Sequence, residues 1–190
     1  MKRRGLLIVI SGPSGVGKDT LIKRLLEVDP NLVYSVSGTT RKPRPQEKPD
    51  QNYTFLSREK FLELVDRGAF LEHASYNGQL YGTFRDRVEN ARSEGRDMVL
   101  KIDVQGAEQV RRLVPDAISI FVVAPSKEEL AHRQEGRGSE SAEDLESRRK
   151  IAEKEMTYAS RYDHVVTNDD IERAVSEILE IVRRAREGQT

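Results

Sequence analysis

The chain has 190 residues, enough for one domain with a substantial core and too few for two ordinary domains and a linker. Its charged fraction of 34% is balanced, with 32 basic and 32 acidic side chains and a formal net charge of zero, which argues against a general binder of nucleic acid or of membrane surfaces. There is no cysteine, hence no disulfide and no thiolate metal site, and no apolar run approaches the roughly 20 residues that span a bilayer, so a cytoplasmic protein is expected.

Met1-Lys2-Arg3-Arg4 is basic, but the apolar run behind it is short and leads into a glycine-rich turn, so no signal peptide is expected. Leu6 to Ile10 has the length and composition of a buried parallel strand. After it, Gly12, Gly15, Gly17 and Lys18 fit the G-x-x-x-x-G-K spacing of a phosphate loop, with Pro13, Ser14 and Val16 inside. A loop that wraps a polyphosphate turns several backbone N–H groups inward through dihedrals that a Cβ obstructs, and the lysine adds a cation for the β and γ phosphates. A helix from about Lys18 to Val28 aims the positive end of its dipole at the same anion. A tight connection without a ligand is the plain alternative; strand, spacing, Gly-Lys pair and helical pattern together favour a nucleotide-phosphate site. The residue after the lysine ordinarily offers a hydroxyl to Mg²⁺. Here Asp19 stands there, followed by Thr20, and a carboxylate at that point either helps hold the metal or repels phosphate.

Asp29-Pro30-Asn31 breaks the first helix, and Leu32 to Ser37 reads as a second strand. Gly38 to Gln51 holds three prolines and four basic side chains. It is either an exposed loop or a second anion site in which Arg41 and Arg44 clamp a phosphate with forked guanidinium donors. Tyr53 to Leu56 resembles a short strand, and Ser57 caps a helix from Arg58 to Arg67 with Phe61, Leu62, Leu64 and Val65 inward, ended by Gly68. Phe70 to Tyr76 and Leu80 to Thr83 form a hairpin about Asn77-Gly78, with Glu72 set among apolar residues. Arg85 to Glu94 is a helix stopped at Gly95.

Met98 to Asp103 reads as a strand ending in a carboxylate. Asp103 is placed either to hold Mg²⁺ through water or to cap the helix from Val104 to Leu113, and the roles are compatible. Ile118 to Val123 is a further apolar strand, and Ser126-x-x-Glu129 is a capping box for a helix toward Gly136. The polar, glycine-punctuated stretch from Gly136 to Glu146, accompanied by Arg133, Arg137, Arg148 and Arg149, has the character of a mobile lid; a solvated charge run is the alternative. A long helix to about Tyr162, a strand at His164 to Thr167 and a helix from Ile171 to Arg186 complete the chain. Nothing repeats internally. The alternation of strands and helices indicates a parallel, three-layer α/β sheet carrying Tyr53 to Thr83 as a small β-rich insertion.

The blocks GPSGVGK, SGTTRKPRPQE, FLEHA, LYGT, IDVQGA, EGRG and VTNDD, in this order and over nearly the whole chain, resemble the guanylate kinase family. The resemblance implies a P-loop NTPase core (about 1–36, 97–133 and 155–190), a small mixed α+β GMP-binding region (about 37–96) and a helical lid (about 134–154). It further implies transfer of a phosphoryl group from MgATP to GMP, giving ADP and GDP, by a monomer or homodimer that takes no nucleic acid or membrane as partner. By position, Gly12, Ser14, Gly15, Val16, Gly17, Lys18, Asp19, Thr20, Arg133 and Asn168 would bind ATP. Arg41, Arg44, Tyr53 and Tyr81 would hold the GMP phosphate, with Ser37, Glu72, Thr83 and Asp103 around the guanine. Lys18, Arg137 and Arg148 would neutralise charge on the transferring group, and Mg²⁺ would lie near Asp103 or Asp19. The chain departs from the family pattern at Asp19, Gly38, Asn52, His73 and Lys101, the last standing where an acid is usual. These departures keep two other readings in view: a kinase for another nucleotide or a sugar phosphate, and a non-catalytic interaction module.

Overall fold

The computed structural model describes residues 3–135 and 142–188. The chain runs through β1 (Leu7–Ser11), α1 (Lys18–Val28) and β2 (Leu32–Tyr34), then an insertion of β3 (Gly38–Thr39), β4 (Thr54–Phe55), α2 (Arg58–Asp66), β5 (Phe70–Tyr76) and β6 (Gln79–Phe84). It returns through α3 (Arg85–Ser93), β7 (Asp97–Lys101), α4 (Val104–Leu113), β8 (Ile118–Val123) and α5 (Lys127–Glu135). Last come α6 (Ala142–Met156), a 3₁₀ turn (Ala159–Arg161), β9 (His164–Thr167) and α7 (Ile171–Glu187).

The core is a five-stranded parallel sheet in the order β2-β7-β1-β8-β9. Its central strand β1 is buried along its whole length, which is why it reads as an unbroken apolar run. Leu6, Ile8 and Ile10 pack with Leu21, Ile22 and Leu25 of α1 and Val175, Ile178 and Val182 of α7. The alternate residues Leu7 and Val9 pack with Val88 of α3 and with Val104, Ala107 and Val110 of α4. Two helical layers therefore share one sheet, as a strand whose side chains alternate between faces demands. Among the described residues no helix is long and apolar enough to cross a membrane.

The insertion forms a second, mixed sheet in the order β4-β3-β6-β5. Its hairpin turns at Asn77 and Gly78, both at positive φ (48° and 74°), the conformation a two-residue turn needs to match strand twist. Phe70 stacks on Phe61 of α2 at 4.5 Å between ring centroids and lies 5.0 Å from Phe84, giving the insertion its own aromatic core. Ser57 caps α2 by accepting from the Lys60 amide, and Ser126 accepts from the Glu129 amide at the start of α5.

Three expectations change. Leu62 is 46% exposed instead of inward, because α2 is a short helix that presses one fully buried side chain, Phe61, onto the hairpin. The second strand ends at Tyr34 and not Ser37, since the chain leaves the core sheet to begin the second sheet at Gly38. The helix expected to reach Tyr162 stops at Met156, where the Thr157 hydroxyl donates to the Lys154 carbonyl and the chain tightens into the 3₁₀ turn.

Asp97 opens β7 with its side chain wholly buried. Its carboxylate accepts from the Leu6 amide (2.7 Å), Arg3 (2.8 Å), the Asn31 amide group (2.9 Å) and Arg186 (2.8 Å). Burial alone would raise its pKa, but the Leu6 amide and the two guanidinium groups hold it below the ordinary value. A carboxyl so depressed stabilises the fold above its unfolded pKa, and the contribution is lost as pH falls through the folded value. Asp97→Ala should therefore lower the unfolding free energy by about 3 kcal/mol in urea titrations at pH 7, and its gap to the parent should narrow below about pH 4.

Candidate functional site

A cleft of ≈ 650 Å³ opens between the two sheets, within the range of small-molecule sites. One wall is the loop between β1 and α1, with Gly12, Ser14, Gly15, Gly17, Lys18 and Asp19. The insertion supplies Ser37, Arg41, Arg44, Tyr53, Glu72 and Tyr81, and Lys101 and Asp103 come from the end of β7 and beyond.

The shape of the loop follows from where its carbonyls are held. The Lys18 ammonium donates to the Gly12 and Pro13 carbonyls, the latter at 2.8 Å. Gln134 of α5 donates its side-chain amide to the Ser14 carbonyl (2.8 Å), and Asn168, just after β9, donates to the Val16 carbonyl (2.7 Å). A trans peptide carries its N–H opposite its C=O, so each tethered carbonyl turns the next residue's N–H to the other side; for Ser14 and Val16 these are the amides of Gly15 and Gly17. Gly17 sits at φ 91°, and a Cβ there would lie 2.6 Å from Asn168 Nδ2, so only glycine permits the tether. α1 begins at the next residue with its dipole along the same direction.

Across the cleft, Arg41 and Glu47 are paired through two parallel hydrogen bonds of 2.8 Å, and Glu47 also accepts from the Arg44 backbone amide at 2.8 Å. The Arg41 bond holds the Glu47 carboxyl below the usual carboxylate range. The guanidinium of Arg41 lies 5.2 Å from the Tyr53 ring centroid, and Tyr53 meets Tyr81 edge to face at 5.9 Å. Arginine, backbone and phenol donors thus converge where a second anion would sit.

Glu72 is the chemically unusual group. It is 4% exposed, on the face of β5 toward α4, and accepts from the Thr83 hydroxyl at 2.6 Å. Burial pushes its carboxyl up to about 7, with the charge of Asp103 adding to the shift and the Thr83 hydrogen bond opposing it. α4 comes close enough to seat it because residue 106 is glycine: a Cβ there would lie 2.4 Å from Glu72 Oε2. Asp103 caps α4 by accepting from the Gly106 amide (2.8 Å), so the capping role weighed for it is present, and burial raises its pKa. Gln105 and Gln109 of α4 donate to the Ser75 and His73 carbonyls of β5, fastening the hairpin to the core.

Some expected residues lie off the cleft. Val16 is buried in the core beneath the loop, Thr20 is exposed on α1, and Thr83 stands behind Glu72. Arg133 is engaged with Glu129 (2.7 Å) and the Asn168 carbonyl (3.0 Å), and Asn168 supports the loop from below. Arg137 lies outside the described residues, as does the Arg148 side chain. Asp19, read as either a metal ligand or a repellent of phosphate, is ion-paired with Lys101. Glu47 escaped the sequence reading, and so did two residues farther along the chain. Gln134 looks like any polar residue on a helix. Glu155 of α6 lines the cleft with Oε2 buried and without a hydrogen-bond partner among the described residues, its pKa pushed up by burial while Lys18 pulls it down.

The family model described as guanylate kinase matches residues 4–185. The guanylate kinase of Rubrobacter xylanophilus is 51% identical over 96% of this chain and 95% of that protein. The guanylate kinase of Caldanaerobacter subterraneus subsp. tengcongensis is 46% identical over 96% and 88%. Among solved structures, guanylate kinase from Anaplasma phagocytophilum superposes with a TM-score of 0.82 at 37% identity, covering 96% of this chain and 87% of that one.

The raised pKa of Glu72 has a consequence for stability that needs no ligand. A carboxyl whose folded pKa lies above its unfolded value costs stability progressively as pH rises from the unfolded value through the folded one, so the penalty is complete above about pH 7. Glu72→Gln keeps an acceptor for Thr83 and removes that charge. It should raise stability by about 1–3 kcal/mol at pH 8 and by far less at pH 5, read from thermal unfolding at both values.

Proposed function

Because the chain belongs to the guanylate kinase family, we propose that it transfers the γ-phosphoryl group of ATP to GMP, giving ADP and GDP. The observation that carries this reading is a single cleft holding an amide-lined loop with Lys18 on one side and the Arg41, Arg44, Tyr53 and Tyr81 cluster on the other, with a buried carboxylate beside the second. In this reading a phosphate oxygen of GMP attacks the γ-phosphorus while the bond from that phosphorus to the β-phosphate oxygen breaks. The attacking oxygen already carries charge, so no general base is needed, and catalysis falls to positioning and to cations.

Lys18 then leaves the Gly12 and Pro13 carbonyls for the β and γ phosphates, and the Gly15 and Gly17 amides complete the donor cradle. Arg137 and Arg148, assigned by position within the family, add positive charge to the phosphoryl in flight. Arg41 and Arg44 hold the acceptor phosphate with Tyr53 and Tyr81. Glu72 reads the base: guanine offers N1–H and N2–H₂ side by side to one carboxylate, whereas adenine offers neither. A buried charged acceptor left unpaired costs on the order of 1–3 kcal/mol or more, enough to select between purines.

The residues fit a Mg²⁺ ion carried by the nucleotide. Glu155 presents a buried carboxylate oxygen without a hydrogen-bond partner among the described residues, and Asp103 lines the same cleft. Among the described residues no cluster of three or more acidic, histidine or cysteine side chains could hold a metal alone, which suits an ion bound mainly through phosphates and water. Asp103 and Glu155 would hold its water shell, and the ion would neutralise charge on the transferring phosphates. Against a pure docking module stands the loop with its lysine and two amide braces, an arrangement that protein binding does not require.

A coupled assay for ADP release, run with ATP, Mg²⁺ and each nucleoside monophosphate in turn, should give turnover with GMP far above the others; turnover with none of them would refute the reading. Lys18→Ala should lower kcat at least a hundredfold with little change in the unfolding midpoint, and a value within tenfold of the parent would remove Lys18 from its role. Since guanine needs the ionised carboxylate, the KM for GMP should rise as pH falls below about 7, approaching tenfold per pH unit, whereas Glu72→Gln should show a higher KM that stays flat until the phosphate of GMP itself protonates near about pH 6.

A further inference from the structure

Lys101 is the last residue of β7 and pairs in register with Ile10, two residues before the phosphate loop begins at Gly12. Its side chain is 16% exposed, yet it remains an ammonium: burial opposes the charge, but Tyr34, Tyr53 and Asp19 hold its pKa above the ordinary lysine value. Nζ donates to the carboxylate of Asp19 in the first turn of α1 and lies 5.4 Å from the centroid of the Tyr53 ring. Arg41 approaches that same ring at 5.2 Å. Two cations therefore border one aromatic side chain of the acceptor cluster, and one of them grows from the strand beside the donor loop.

The pairing with Asp19 is lopsided. Lys101 is fixed on the floor of the cleft, while Asp19 is 75% exposed at its rim. An ion pair with one solvated partner is weak and exchanges readily for a stronger anion. A phosphate dianion in the adjoining cluster is such an anion. Arg41 differs: its guanidinium fork is held by Glu47, and both partners are largely buried.

We propose that Lys101 is a third cation for the acceptor's phosphate, standing between the two anion pockets, and that Asp19 is an internal placeholder displaced when that phosphate arrives. The inference rests on GMP being the acceptor and assigns a further contact to it. It also gives Asp19 a purpose: its negative charge beside the phosphate loop is cancelled by Lys101 until a phosphate takes its place.

The test compares GMP with guanosine, which shares the base and sugar and lacks the phosphate, by titration calorimetry without ATP or divalent cation. Lys101→Met should weaken GMP about tenfold and leave guanosine within twofold. Asp19→Asn, at an exposed position that leaves folding intact, should strengthen GMP by roughly three- to tenfold in the parent and have no effect in the Lys101→Met background, the coupling expected of a competitor. Equal losses for GMP and guanosine in Lys101→Met would mark the lysine as merely structural, and weaker GMP binding by Asp19→Asn would overturn the placeholder role. A parent protein that bound neither ligand would refute the functional reading itself and this inference with it, a result distinct from GMP binding that ignores both substitutions.

Discussion

The donor half of the cleft depends on where a few carbonyl oxygens are held. Those of Gly12 and Pro13 turn to Lys18, that of Ser14 to Gln134 and that of Val16 to Asn168. The two amide tethers come from far along the chain, Asn168 being 152 positions from Val16. The anion cradle therefore exists only once β8 and β9 have joined the sheet and α5 has packed against it. Global fold and local chemistry are tied together at this point: a loop of glycines has many conformations, and the folded core selects one.

The acceptor half follows a different rule, in which charges are matched within the protein. Glu47 answers Arg41 and Asp19 answers Lys101, so neither cation is left bare in a half-buried space. Glu72 is the exception. It accepts from the Thr83 hydroxyl and, among the described residues, has no cationic hydrogen-bond donor, so burial raises its proton affinity. The group proposed to read the base is also one that weakens the fold when ionised, as is common where a binding site must present an unsatisfied acceptor.

Much of this was legible in the residues. β1 from Leu7 to Ile10 is an unbroken apolar run and β8 is apolar save for Ser119, because both faces of each are covered, and Asn77-Gly78 announces its turn because few other pairs tolerate two positive φ angles. Ser57, Asp103 and Ser126 cap helices where their side chains foretold. Leu62 misled, because a short helix on a small sheet buries a narrower stripe than its apolar content suggests. What stayed hidden was tertiary. Gln134 and Glu155 carry no local pattern that separates them from solvated helix residues. Asp19 and Lys101 stood out singly as departures, but their pairing spans 82 positions and only the folded sheet brings them together.

One absent methyl group sets a boundary on how the surroundings of Glu72 can vary. Residue 106 has no side chain, and the space a Cβ would take lies 2.4 Å from the carboxylate of Glu72. Helix α4 thus forms the back wall of the pocket as well as a bond to β5 through Gln105 and Gln109. Any redesign of this wall of the cleft has to treat positions 72 and 106 as one unit, since a shorter group at the first makes room for a side chain at the second.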